Sequence, residues 1–184
     1  MAQSSWRRYL TFRCTGCGNC CRETVVLLTH QDVARIVDGT GRAPRDFVRF
    51  FGPSAVEMGS ADPHWIQFDT GRAVMALKWR SRRCAFLGVN NLCQIYGHRP
   101  VTCREHPFNV RLSETGGVEA ISLSRVVRCP HEWDGQTSLK QIRSVVRWNE
   151  LQTDAYAKKV KTWNRRRGAG RTRPAFLRYL GFVN

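Results

Sequence analysis

The sequence predicts an α+β fold: a small antiparallel sheet and short helices around a cysteine-lined metal site, plus a C-terminal helix. Three observations predict it. Short β-rich runs come in pairs around glycine turns, capped helical stretches lie between them, and eight cysteines fall into two groups. With 42% hydrophobic and 24% charged residues over 184 positions, the chain has the composition of a globular domain and not of a disordered one. A chain of this length buries about two thirds of its unfolded surface. It therefore does not need cross-links to make up for a missing core, and the cysteines call for another explanation.

The first element is the run Cys14-Thr-Gly-Cys17-Gly-Asn-Cys20-Cys21, in which Gly16 and Gly18 let the backbone turn between sulfurs. Residues 23–29 read as a buried strand. Thr29 caps a helix over His30–Val37 with Asp32 in its first turn, and Gly39 and Gly41 end it. Pro44 opens a second helix over residues 45–51, whose phenylalanines form a core face. Residues 64–69 and 74–79 form a hairpin across Thr70-Gly71-Arg72. The second cysteine group follows: Cys84, a turn at Gly88–Asn91, Cys93, and a helical turn after Pro100 that carries Cys103. A hairpin over 108–113 and 118–124 precedes Cys129-Pro130.

From Thr137 to Trp163 the spacing of Leu139, Ile142, Val146, Trp148, Leu151, Ala155 and Val160 predicts one long amphipathic helix with a possible break near Thr153. The chain thus divides into a cysteine domain, 1–136, and a helix with a basic tail, 137–184. The N-terminus lacks a signal-type apolar stretch, and no run is long enough to span a membrane. The expected compartment is the cytoplasm, where thiols stay reduced and clustered cysteines favour metal over disulfides.

Three cysteines at intervals of three, with glycines between, match the start of a bacterial ferredoxin run; a 4Fe-4S iron–sulfur cluster is the favoured cofactor. Zinc is the rival, with four thiolate or imidazole ligands. The second group has spacings of 9, 10 and 26 residues and holds no Cys-x2-Cys pair. It is therefore expected to converge on the first group rather than build its own knuckle. The candidate ligands are Cys14, Cys17, Cys20, Cys21, Cys84, Cys93, Cys103 and Cys129. Cys20 and Cys21, being adjacent, serve different centres or leave one thiol unligated. His98, His106 and His131 lie near second-group cysteines, although packed or surface roles explain them as simply. Arg99 and Arg104 bracket Cys103, where a guanidinium offsets thiolate charge and donates to sulfur.

Net charge is +16, and 25 of the 30 basic residues are arginine. Phosphate recognition and an arginine-rich genome explain this equally well. Arg165, Arg166, Arg167, Arg171 and Arg173 crowd the C-terminal segment around Trp163. They are candidate contacts for a nucleic acid or an acidic protein partner, with Trp163 stacking on a base; the alternative is a solvated helix end.

The motifs from Phe12 to Cys21, Leu28 to Ile36, Cys84 to Leu87, Cys93 to Tyr96, Arg99 to Arg104 and Pro107-Phe108, with Cys129, occur in an order that resembles a family of zinc- or iron-chelating proteins. This family is defined by its Cys-x2-Cys-x2-Cys-Cys opening. The resemblance covers residues 12 to about 131 and implies a metal centre. Some relatives are flagellin lysine methylases, which makes a protein-modifying methyltransferase one alternative. No Gly-x-Gly loop or Cys-x3-Cys-x2-Cys triplet for S-adenosylmethionine accompanies it. A zinc-stabilised partner of nucleic acid or ribonucleoprotein is the other alternative.

Overall fold

A computed structural model describes residues 5–182. Helices α1 (His30–Thr40), α2 (Pro44–Phe47), α3 (Val101–Glu105), α4 (Leu139–Asn164) and α5 (Arg173–Tyr179) alternate with nine short strands. All strand pairs are antiparallel. The central three-stranded sheet has the order β2 (Val48–Phe51), β4 (Gly71–Leu77), β3 (Ile66–Phe68). Three two-stranded pieces complete the set: β1 (Arg13–Cys14) with β9 (His131–Glu132), β5 (Trp79–Arg80) with β6 (Arg83–Cys84), and β7 (Phe108–Leu112) with β8 (Val118–Leu123). The α+β class is as the sequence predicts. Among the described residues no helix is long and apolar enough to cross a membrane.

Both predicted hairpins form, and the turn of the second places Gly116 at φ 79°. Two local expectations are corrected. Residues 48–51 form a strand and not a continuation of α2, because Val48 and Phe50 alternate inward with period two and pair with Leu77 and Met75 of β4. Residues 23–29 contribute only a bridge from Leu27 to Ala76, with bonds from Leu28 N–H to Met75 and from Leu77 N–H to Val26. The front of that run is held by the cysteine loop, where Glu23 accepts the amide of Arg128 at 3.0 Å.

Two apolar clusters share α4. The larger packs the three-stranded sheet, α1, α2 and α5 around Phe47, Ile66, Met75, Trp163 and Phe176. The smaller packs β7 and β8 against Trp6, Tyr9 and Leu10. At about 39 Å for 26 residues, α4 reaches both. Ile142 and Val146 belong to the small cluster, and Tyr156, Val160 and Trp163 to the large one. The helix runs unbroken past Thr153. Its inward face differs from the predicted stripe: Leu151 is 70% exposed, whereas Gln152 is buried.

Asp32 is fully buried on α1 and accepts four hydrogen bonds. Thr29 donates both its amide and its hydroxyl at 2.9 Å, Val101 its amide at 3.0 Å, and Arg35 its guanidinium at 2.9 Å. Arg35 also bonds the Gln152 side chain at 3.1 Å and the carbonyl of Arg99 at 3.3 Å. The carboxylate thus caps α1, holds the start of α3 and, through Arg35, reaches α4. Removing one partner of a buried ion pair costs about 3–5 kcal/mol. Asp32→Ala is expected to lower unfolding free energy by about that much in a denaturant titration.

Burial holds the imidazole of His30 below its ordinary range, helped by the charge of Lys159, and burial alone does the same to His106. A base that resists protonation when folded stabilises the native state fully above its unfolded value of 6.5, and this stability is lost as pH falls below it. The melting temperature is expected to drop between about pH 7.5 and about pH 5. Replacing both residues with Gln should flatten that dependence.

Candidate metal centre

The cysteine loop begins where β1 ends. Cys14 pairs with His131 across the β1–β9 ladder, and its sulfur accepts the amide of Gly16 at 3.4 Å. Gly16 and Gly18 sit at φ +68° and +74°, in the left-handed region that glycine enters without strain. A side chain at Gly18 would meet the guanidinium of Arg22 at 2.6 Å, and that guanidinium donates to the carbonyl of Cys17 at 3.2 Å. A single 3-10 turn, Asn19–Cys21, then carries Cys20 and Cys21.

The late cysteine is fastened alongside this loop. Thr15 donates to the carbonyl of Pro130 at 2.9 Å, Asn19 to that of Arg128 at 2.7 Å, and Glu23 accepts the Arg128 amide. Sequence reading missed Asn19 and Glu23, because a polar residue that bonds backbone more than 100 positions away leaves no local pattern.

The second group is built on a knuckle. Cys84 ends β6, the chain turns at Gly88–Leu92, and Leu87 bridges to Cys93. Cys103 lies on α3, whose first amide is the one Asp32 holds. The amides of Phe86 and Ile95 favour the thiolates of Cys84 and Cys93. In each case, as at Cys14 and Gly16, the amide is that of the residue two positions on. Such N–H···S bonds spread the negative charge of a ligating thiolate.

Thiols of the two groups interact, Cys21 of the first with Cys84 of the second. All eight thiols are free. Cys20 is pushed up by its hydrogen bond with Cys21 and by burial. Cys21 is drawn down by Cys20, yet its hydrogen bond with Cys84 and its burial carry it up to about 12. Cys84 goes the other way, held down mainly by that bond from Cys21. Burial raises Cys93 and Cys103, and the thiols of Cys20 and Cys21 raise Cys103 further. Cys129 stands at about 12 through burial and the neighbouring Cys14, Cys17 and Cys20. Among the described residues no group of three or more Cys, His, Asp or Glu side chains is placed to hold one metal ion.

Arg99 lies within the field of Cys20, Cys93 and Cys103 and favours their ionised forms. Its guanidinium lies over the Tyr96 ring at 3.7 Å and donates to the Tyr96 carbonyl at 3.0 Å. Arg104 instead directs its donors to the carbonyls of Arg99 and Gly97 and lies over Trp148. Both arginines border an open cleft of about 510 Å³ between Tyr96 and α4. His131 bonds the carbonyl of Cys129 at 2.7 Å, and the buried Nε2 of His106 finds no hydrogen-bond partner.

The basic segment is partly tied down. Arg171 approaches Asp69 at 3.5 Å, and Arg166 lies over Trp163 and Tyr179, while Arg165, Arg167 and Arg173 are exposed. Trp163 is 1% exposed and donates its indole N–H to the carbonyl of Gln67 at 3.0 Å. Stacking of a base on Trp163 is therefore ruled out. The helical spacing that made Trp163 look like a tail residue places it in the core.

The cysteine loop, the Cys129 segment and the stretch from Cys84 to Cys103 together make a cysteine-rich domain with eight free thiols. Residues 13–130 match the model of the CxxCxxCC family, described as a "putative zinc- or iron-chelating domain". The chain belongs to that family. No curated protein and no solved structure matches it.

Each bond that fastens the Cys129 segment contributes about 1 kcal/mol. Asn19→Ala combined with Glu23→Ala is expected to speed alkylation of Cys129 in the metal-free protein roughly thirtyfold. Peptide mass spectrometry reads the rate, and an unchanged rate would show that these bonds do not hold the segment.

Proposed function

We propose that the protein holds an iron–sulfur centre in a structural or redox role, with its cysteines as ligands. The observation that carries this reading is the cysteine loop itself: glycines at positive φ turn the backbone between Cys14, Cys17 and Cys20, the Cys14 sulfur accepts the amide of Gly16, and hydrogen bonds from Thr15 and Asn19 hold the Cys129 segment alongside. An all-thiol donor set suits iron–sulfur clusters and zinc alike. The Cys14–Cys17–Cys20 spacing favours the cluster. Arg99 and the backbone amides supply positive potential around the sulfurs, which stabilises thiolate ligands and raises the potential of a bound cluster. When bound, such a centre supplies one-electron transfer or a rigid cross-link. The chain's own part is to hold the thiolates in place. Ligation also removes the proton that the crowded thiols otherwise retain, so metal binding and folding are coupled.

Protein purified without oxygen is expected to contain iron and acid-labile sulfide in equal amounts and to show the visible absorption of a thiolate-bound cluster. Cys17→Ser should lower metal content and melting temperature together. Zinc without iron would replace the cluster reading with a structural zinc site. Unchanged metal content and melting temperature would remove Cys17 from the ligands.

A further inference from the structure

We propose that the eight cysteines build two adjacent four-thiolate centres. Cys14, Cys17, Cys20 and Cys129 form one, Cys21, Cys84, Cys93 and Cys103 form the other, and the Cys20–Cys21 peptide joins them. The inference rests on the metal-binding reading and adds the number of centres and the ligands of each.

Three features of the fold separate the sets. The first is topology. The β1–β9 ladder sets Cys14 opposite His131, two residues after Cys129, and the bonds from Thr15 and Asn19 keep residues 128–130 beside the loop that carries Cys17 and Cys20. The Cys129 thiol accordingly interacts with Cys14, Cys17 and Cys20.

The second is the core. Cys84 is a member of the larger apolar cluster, and Cys21, Cys93 and Cys103 are packed against its surface. Among the described residues the other four cysteines are not part of that packing, and Cys14 is exposed. One set is thus seated on the central sheet and α3, and the other lies toward the β1–β9 edge.

The third is the 3-10 turn over Asn19–Cys21. With three residues per turn, successive side chains leave the axis about 120° apart. Cys20 and Cys21 therefore diverge into the two sets, although their sulfurs remain near enough to interact. Cys20 also stands within the field of Cys93 and Cys103, as expected where two centres share a wall. Four thiolates complete either a structural zinc site or a cubane cluster, and eight complete two.

The test is the metal content of the whole chain and of two paired variants, Cys14→Ala/Cys17→Ala and Cys93→Ala/Cys103→Ala. The wild type is expected to hold two centres' worth of metal, about eight irons or about two zincs. Each variant should keep about half. A folding failure in the second variant is covered by a measurement on the unmutated protein. As chelator is added, its cysteines should become open to alkylation in two groups of four, each group moving together. Metal for one centre only, or simultaneous exposure of all eight thiols, would overturn the two-centre assignment and leave metal binding intact. Absence of bound metal would instead overturn the metal-binding reading itself.

Discussion

A single buried carboxylate fixes the frame on which the cysteines are hung. Asp32 lies among groups that would otherwise be unpaired inside the protein: the amide and hydroxyl of Thr29, which caps α1, the first amide of α3 and the guanidinium of Arg35. A buried charge is tolerable only when its oxygens are satisfied, and here four donors converge on two oxygens. Because Val101 opens the helix that bears Cys103, and Arg35 holds the carbonyl of Arg99, the same network sets one candidate ligand and the cation beside it. Arg35 also lies over Trp148 at 4.1 Å and bonds Gln152, so α4 is registered against α1 by the same residue.

The cysteine segments themselves contain little regular structure. They comprise two-residue strands, one 3-10 turn, a tight knuckle and a helix of five residues. Few backbone bonds resist their separation, and burial makes ionisation of several neighbouring thiols unfavourable. The scaffold brings sulfurs of both groups near one another, and burial opposes the charge that ligation would need on Cys20 and Cys103. A cation that accepts the sulfurs' charge turns their mutual repulsion into attraction.

Much of this was readable from the chain, for identifiable reasons. Thr29 caps α1 as predicted, because that signal is local, and Asp32 in the first turn completes a capping box with it. The hairpins follow from local turn chemistry at Gly71 and Gly116. The cysteine spacing exposed the site, because ligands on one loop must recur at short intervals. The inward face of α4 was misjudged where the helix passes between the two apolar clusters. There Asn149, Gln152 and Thr153 replace the hydrophobic residues that periodicity looks for: Gln152 receives Arg35, Asn149 bonds Glu105, and Thr153 lines a small cavity with Tyr156. The residues that pin Cys129 were invisible for a related reason, since their partners are distant backbone groups.

The end of α4 has a further consequence for how copies of this protein meet one another. Asn164 donates its side-chain amide to the carbonyl of Trp65 at 2.8 Å and accepts the amide of Gln67 at 2.8 Å. It thereby imitates the main chain of one more strand along the outer side of β3. Trp163 takes the carbonyl of Gln67, and Asp69 gives its amide to the carbonyl of Arg171 at 3.2 Å. An uncovered strand margin is a template on which a second chain can extend a sheet. Here its hydrogen-bonding groups are already taken by the C-terminal helix and the arginine-rich segment behind it. Cutting the chain before Trp163 would remove a charged tail and also leave that margin bare, turning a sealed boundary into an adhesive one.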